Sequence, residues 1–358
     1  MRFIRKIRYE QDINLIPHRG YVLWYSLLLA IIVSAPLWLD RFLLGEFSLV
    51  FIYAIAGLGL MLLVGYTGLV SLGHAAFLAI GAYVHAYLLN QGLPFPVTIA
   101  AATVFSALIG ALVGVPALRM TGIYLAVATL AFAVIVEQVL VNWESVTGGF
   151  RGMSVPKPEL FGLSLASPTA FYFLCLVVLI GSLVVVMNLL RSPAGRAMTA
   201  VRDSETSAES MGVHLARTKT MAFALSAAFT GLAGALFAHR LSYLAPDAFT
   251  LITSIQLLLM VVVGGVGSLH GVIFGAIFIG LLPQGIAIFR DWVPPAVAQI
   301  PGLEPGIFGL ILILFLIYEP LGLYGRWRKI RLFFEEFPLY RRATYKRQKS
   351  FLRTERLH

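Results

Sequence analysis

Ten stretches of this chain run close to the roughly 20 mostly apolar residues that a helix needs to cross a bilayer. They lie at 21–39, 47–64, 69–89, 95–114, 120–141, 169–190, 221–239, 251–263, 271–289 and 305–323. Hydrocarbon offers no partner to an exposed backbone N–H or C=O, so such stretches become helices that satisfy their own backbone. The expected fold class is all-α, a polytopic membrane helix bundle of about ten transmembrane segments, some of them broken or re-entrant. The eighth stretch is short for a span and runs into Gly264, Gly265, Val266 and Gly267, so it is the one expected to be broken.

Composition agrees. Of the 358 residues 59% are hydrophobic and 12% charged, against roughly 25% charged in soluble domains. A single Cys excludes a disulfide framework or a thiolate metal cluster. The net charge of +10 is distributed by topology rather than gathered into a nucleic-acid surface. With a cytoplasmic N-terminus and ten crossings, 22 of the 27 Lys and Arg fall on the cytoplasmic side, as membrane topology favours. Both termini are then cytoplasmic. The expected division is a basic cytoplasmic N-terminus at 1–20, a permease domain at 21–323 that includes a cytoplasmic segment at 191–220, and a basic cytoplasmic tail at 324–358. Five basic residues precede the first apolar stretch and no small-residue cleavage site follows it, so it is expected to stay as a first helix.

Catalytic signatures are missing. The sequence holds no G-x-x-x-x-G-K-[ST], no H-E-x-x-H and no G-x-S-x-G, so it carries neither a phosphate-binding loop nor a familiar hydrolytic centre. Transport is the function class that remains.

Segment 191–220 is the most informative cytoplasmic stretch. Ser192 followed by Pro193 reads as an N-cap and first helical residue. Asp203 is the expected cap of a second short helix, with Glu205 in its first turn and Gly212 as its stop. Thr206 with Glu209 also fits a capping box. Two short helices of mixed polarity suit docking on a cytoplasmic partner, with Arg202, Asp203, Glu205, Glu209 and Gly212 as candidate contacts; the plainer reading is a solvated loop. A second stretch, Gly65 to Tyr83, places Thr67, Ser71 and His74 at helical spacing, with His85 three turns further along that face. Such a stripe within a membrane faces protein or water, not lipid. It lines a pathway or forms hydrogen bonds between helices. Glu137 is the one acidic residue placed clearly within an apolar stretch, and Gln256 is a weaker pathway candidate of the same kind. Gly267, Gly271 and Gly275, and likewise Gly110 and Gly114, have the spacing that permits close helix crossings.

These motifs carry a resemblance. Gly65-Tyr-Thr-Gly-Leu-Val-Ser-Leu-Gly-His-Ala-Ala-Phe, Gly122-Ile-Tyr-Leu-Ala-Val-Ala-Thr-Leu-Ala-Phe, Asn142-Trp-Glu-Ser-Val-Thr-Gly-Gly, Gly195-Arg-Ala-Met-Thr-Ala-Val-Arg-Asp-Ser-Glu and Gly231-Leu-Ala-Gly-Ala-Leu-Phe-Ala stand in order over roughly 50–325. In them the chain resembles the branched-chain amino acid permease family of bacterial ABC importers, the second of its two paralogous membrane subunits. The resemblance implies a multi-pass protein of the bacterial inner membrane that is not itself an enzyme. It implies a heterodimer with the paralogous permease, two cytoplasmic ATPase subunits and a periplasmic binding protein. ATP and Mg would be bound by the ATPases, with no cofactor in this chain. It also implies that 203–212 stands at the position of the coupling segment, where Glu205, Thr206, Ser207 and Ala208 replace a more Ala-rich stretch. The basic tail is an extension with anionic membrane lipid as its expected contact. The rival is a stand-alone ion-coupled secondary transporter or channel, with Glu137 and His74 as proton sites.

Overall fold

The structure, a computed structural model, describes residues 19–120, 122–160, 163–165, 167–291, 303–319 and 321–336. Thirteen helices carry the fold among them: α1 (Arg19–Ser34), α2 (Arg41–Leu60), α3 (His74–Asn90), α4 (Phe95–Gly114), α5 (Ile123–Asn142), α6 (Pro168–Arg191), α7 (Pro193–Asp203), α8 (Glu205–Ser210), α9 (Leu215–Leu241), α10 (Leu251–Gly264), α11 (Leu269–Asp291), α12 (Leu303–Tyr318) and α13 (Gly322–Glu336). Single helical turns occupy several connections. Four two-residue strands form two antiparallel pairs, Met153–Ser154 with Tyr243–Leu244 and Glu159–Leu160 with Leu163–Ser164. The all-α expectation holds. Most of the N-terminal basic stretch, and the tail beyond 336, lie outside the described residues.

Among the described residues seven helices are long and apolar enough to cross a membrane, or eight if α12 and α13, bent by 46° from one another, form one span. The expected count of about ten is therefore met only in part. Residues 21–39 yield a helix too short for that test, and 69–89 begin as irregular chain, with helix only from His74. The stretch at 251–263, expected to be the weak one, is lengthened by a helical turn at Pro246–Phe249 into a 19-residue span.

Two spans form the interior. The most apolar part of α2 is 78% buried and that of α9 is 72% buried, against 39% or less in the other five. α9 packs along α2, α3 and α4, and these crossings are close because glycines stand at them. A Cβ at Gly81 of α3 would collide with the Gly231 carbonyl of α9, and one at Gly234 would meet the Leu78 carbonyl. Gly110 and Gly114 sit on the Phe223 turn of α9, and Gly271 and Gly275 on the backbone of α10, as the glycine spacing anticipates. Gly267 differs: it lies in the turn between α10 and α11.

Contacts define two ends. At one, Arg202 of α7 reaches the Gly65 carbonyl at the close of α2. At the other, Asn90 of α3 donates to the Ser154 carbonyl, and Ser154 pairs with Tyr243 just past α9.

A substitution of Gly81 by Ala should lower the thermal midpoint of the purified protein, overpacking of this kind costing about 1–3 kcal/mol. Gly181→Ala, where a Cβ meets nothing within 4 Å, should leave the midpoint unchanged or raise it.

Candidate functional site

α2 ends in a wider π-helical turn, Met61–Tyr66, and the chain then runs without helix to Gly73. Gly68, at φ +72°, takes the bend; other residues enter that region at a cost of about 1–2 kcal/mol. Broken backbone beside membrane helices persists only where other groups satisfy it, and here the partners come from several helices. The Thr67 hydroxyl donates to the Leu62 and Leu63 carbonyls at 3.1 and 2.6 Å, and Leu69 N–H also donates to Leu63. Leu72 N–H donates to Thr129 Oγ1 of α5 at 3.0 Å. Ala75 N–H, in the first turn of α3, donates to Ser254 Oγ of α10 at 2.9 Å. His74, just past the break, joins it to α9, with Nδ1 3.0 Å from Ser71 Oγ and Nε2 2.7 Å from Ser226 Oγ.

The expected stripe is therefore corrected. Thr67, Ser71 and His74 do not share a helical face, because the helix is interrupted between them. Ser71 and His74 come together; Thr67 instead closes the end of α2. His85 does lie on α3 with His74, and both rings face α9: His85 Nε2 is 2.8 Å from His239 Nε2, and neither His74 nor His85 is exposed. Of the two readings of the stripe, hydrogen bonding between helices is the one these histidines display. Glu137 stands two turns beyond Thr129 on α5, half-buried, and no side chain of the described residues bonds its carboxylate. Gln256 lines a small crevice with Tyr53, Thr253 and Met260. Neither joins the His74 cluster.

Segment 193–212 forms two short helices, as its pattern suggests. Ser192 Oγ accepts from Gly195 N–H ahead of Pro193. The cap of α8 is Ser204, whose Oγ accepts from Ser207 N–H at 3.3 Å, rather than the expected Asp203, which closes α7. Ser204 prevails because it, and not Asp203, takes the extended backbone of a cap. Gly212, at φ +84°, ends α8, with Val213 N–H donating to Ala208 and Gly212 N–H to Glu209, the paired bonds of a Schellman stop. A cavity of about 450 Å³ opens here, lined by Leu118, Glu205, Glu209, Gly212, His214 and Lys219 among others. Glu205 is turned toward α9, where its Oε2 lies 2.7 Å from Lys219 Nζ. Arg202 points back at the bundle, with Nη1 2.5 Å from the Gly65 carbonyl. Asp203 and Glu209 are exposed.

Thr129, Ser226, Ser254 and Lys219 are the residues that the sequence reading missed. A buried Ser or Thr in an apolar helix ordinarily bonds the carbonyl four residues back, as Ser48 does. Only tertiary contact separates Ser226 from such a case. For Lys219 a signal existed: a cation as the fifth residue of a span.

Among known proteins, a model of the branched-chain amino acid transport system permease component family matches residues 42–316. The chain is 38% identical over 327 residues to the high-affinity branched-chain amino acid transport system permease protein LivM of Salmonella typhimurium, covering 84% of this chain and 74% of that one. The Escherichia coli LivM is 38% identical over 322 residues, 83% and 73% of the two chains. LivH of S. typhimurium, a permease protein of the same transport system, is 23% identical over 293 residues, 76% and 91%. No solved structure matches the chain.

Ser254→Ala should destabilise the protein by about 1–3 kcal/mol, because it leaves the buried Ala75 N–H without a partner. Ser106→Ala, whose buried hydroxyl has no partner among the described residues, should cost nothing measurable. Thermal unfolding in detergent compares the two.

Proposed function

Since the chain belongs to the branched-chain amino acid transport permease family, we propose that it works as the membrane-spanning subunit of an ATP-driven importer, in a bacterial inner membrane, and moves branched-chain amino acids or related small polar solutes by alternating access. It is a multi-pass membrane protein with a transport role, and the family membership favours that role over a stand-alone secondary transporter or channel.

One observation carries the ATP-driven reading. A chain without a phosphate-binding loop presents a capped two-helix platform, α7–α8, at a single end of its bundle. Energy then enters across a protein interface. Two cytoplasmic ATPase subunits, which hold ATP and Mg, dock on this platform against Asp203, Glu209 and Gly212. A periplasmic binding protein delivers substrate at the opposite end, near 142–168. The second permease subunit is a paralogue, a reading supported by the likeness of this one chain to both LivM and LivH.

The topology that goes with this has ten crossings and both termini in the cytosol. Its support is that α1 and α3 each add a pass to the eight spans reached when the bent α12–α13 pair counts as one, and that Arg202 and Gly65 meet at one end of the bundle. The permease domain is 21–323, flanked by the basic stretches 1–20 and 324–358, with anionic lipid as the contact of the tail. Substrate passes beside the broken segment and its surroundings, with Thr67, Ser71, His74, Glu137 and Gln256 as the pathway residues to test.

Reconstituted alone, this subunit should take up no substrate in response to ATP; uptake by the lone chain would refute the partner argument. In the assembled importer, Glu209→Arg combined with Gly212→Ala should lower uptake at least fivefold while the protein still inserts in the membrane. Unchanged uptake would count against docking at α8.

A further inference from the structure

The break at 67–73 is gripped at both of its ends by groups tied to α7–α8. At the near end, Arg202, in the last turn of α7, donates to the Gly65 carbonyl; its stem packs against Gly68, with Cγ 3.5 Å from where a Cβ would stand, and its Nη1 lies 3.1 Å from the Cβ position of Gly267. At the far end the connection runs through α9. Lys219 is 1% exposed and its ammonium meets Glu205 of α8 at 2.7 Å. A buried ammonium needs its counter-charge, so this pair fixes α8 to α9. α8 has only six residues and lacks the length to hold its own position. Seven residues on from Lys219, two turns along the same face, Ser226 contacts His74, and His74 contacts Ser71. A hydrogen-bonded helix transmits displacement along that distance without bending.

We propose that Lys219 and Arg202 are positioning residues that make the 67–73 break move with α7–α8, so that this break is the gate the ATPases work. The inference rests on the docking reading above and assigns the moving part within it. Neither residue touches substrate: Lys219 acts through Glu205 and α9, Arg202 through the Gly65 carbonyl.

The test uses the complete reconstituted importer, with uptake and ATP hydrolysis measured in the same vesicles. In Lys219→Met and in Arg202→Gln, hydrolysis should stay within about twofold of wild type and the ATPases should still co-purify, while substrate moved per ATP falls at least tenfold. Exchanging the pair, Lys219→Glu with Glu205→Lys, should recover most of that ratio. An unchanged ratio in both single variants overturns the proposal, as does a loss in Lys219→Met that the exchange fails to repair. If Lys219→Met does not reach the membrane, Glu205→Gln, which keeps a hydrogen bond but drops the charge, is read by the same criterion. Failure of docking looks different: the ATPases no longer co-purify and hydrolysis is lost with uptake.

Discussion

The arrangement depends on one constraint, that the amides of Leu69, Leu72 and Gly73 in the non-helical backbone between Thr67 and Gly73 find partners within the bundle. An uninterrupted helix would do this alone. A broken one needs hydroxyls from elsewhere, and three of them tie the break and the first turn of α3 to neighbouring spans: Thr129 of α5, Ser254 of α10 and, through the His74 side chain, Ser226 of α9. The glycines at 81, 231 and 234 serve the same end, since the backbones of α3 and α9 must approach closely for these short side chains to reach. Packing and hydrogen bonding therefore point to one geometry around the break.

α9 is tied down by charge as well as by packing. Lys219 pairs with Glu205 near its start, and Arg240 pairs with Glu46 of α2 near its finish, at 2.9 Å. Glu46 is 7% exposed, and the Arg240 guanidinium lies against Gly45. Removing Glu205 or Arg240 would leave Lys219 or Glu46 buried and uncompensated, which is worse than losing both members of the pair. The two pairs set the helix against α8 at one end and α2 at the other, so α9 shifts only if one of these attachments shifts with it.

Much of this is legible in the residues, and what is not has a common cause. The apolar stretches mark the spans because lipid leaves a helix as the sole solution. Ser192, Pro193 and Gly212 mark helix ends because capping is local chemistry. The break at 67–73 is hidden: Gly65-Tyr-Thr-Gly-Leu-Val-Ser-Leu-Gly-His spaces its polar groups as a helix would, and only the distant hydroxyls make an interrupted chain affordable there. The same non-locality hides Ser226 and Ser254, which read as ordinary small residues of a membrane helix. Asp203 and Ser204 both favour caps, and the choice between them follows from where α7 ends. Glu137 and Gln256 stand out in composition, yet their positions are decided by how α5 and α10 pack.

ATP-driven transport by this chain requires α7–α8 to lie on the cytosolic face while 142–168 lies on the other. Single cysteines at Glu209 and at Lys157, labelled in sealed right-side-out vesicles with a membrane-impermeant maleimide, test this directly. Labelling at 157 at once, and at 209 only after the vesicles are opened, is the predicted result. Labelling of 209 from the outside would contradict the account and remove the route by which ATP drives this chain.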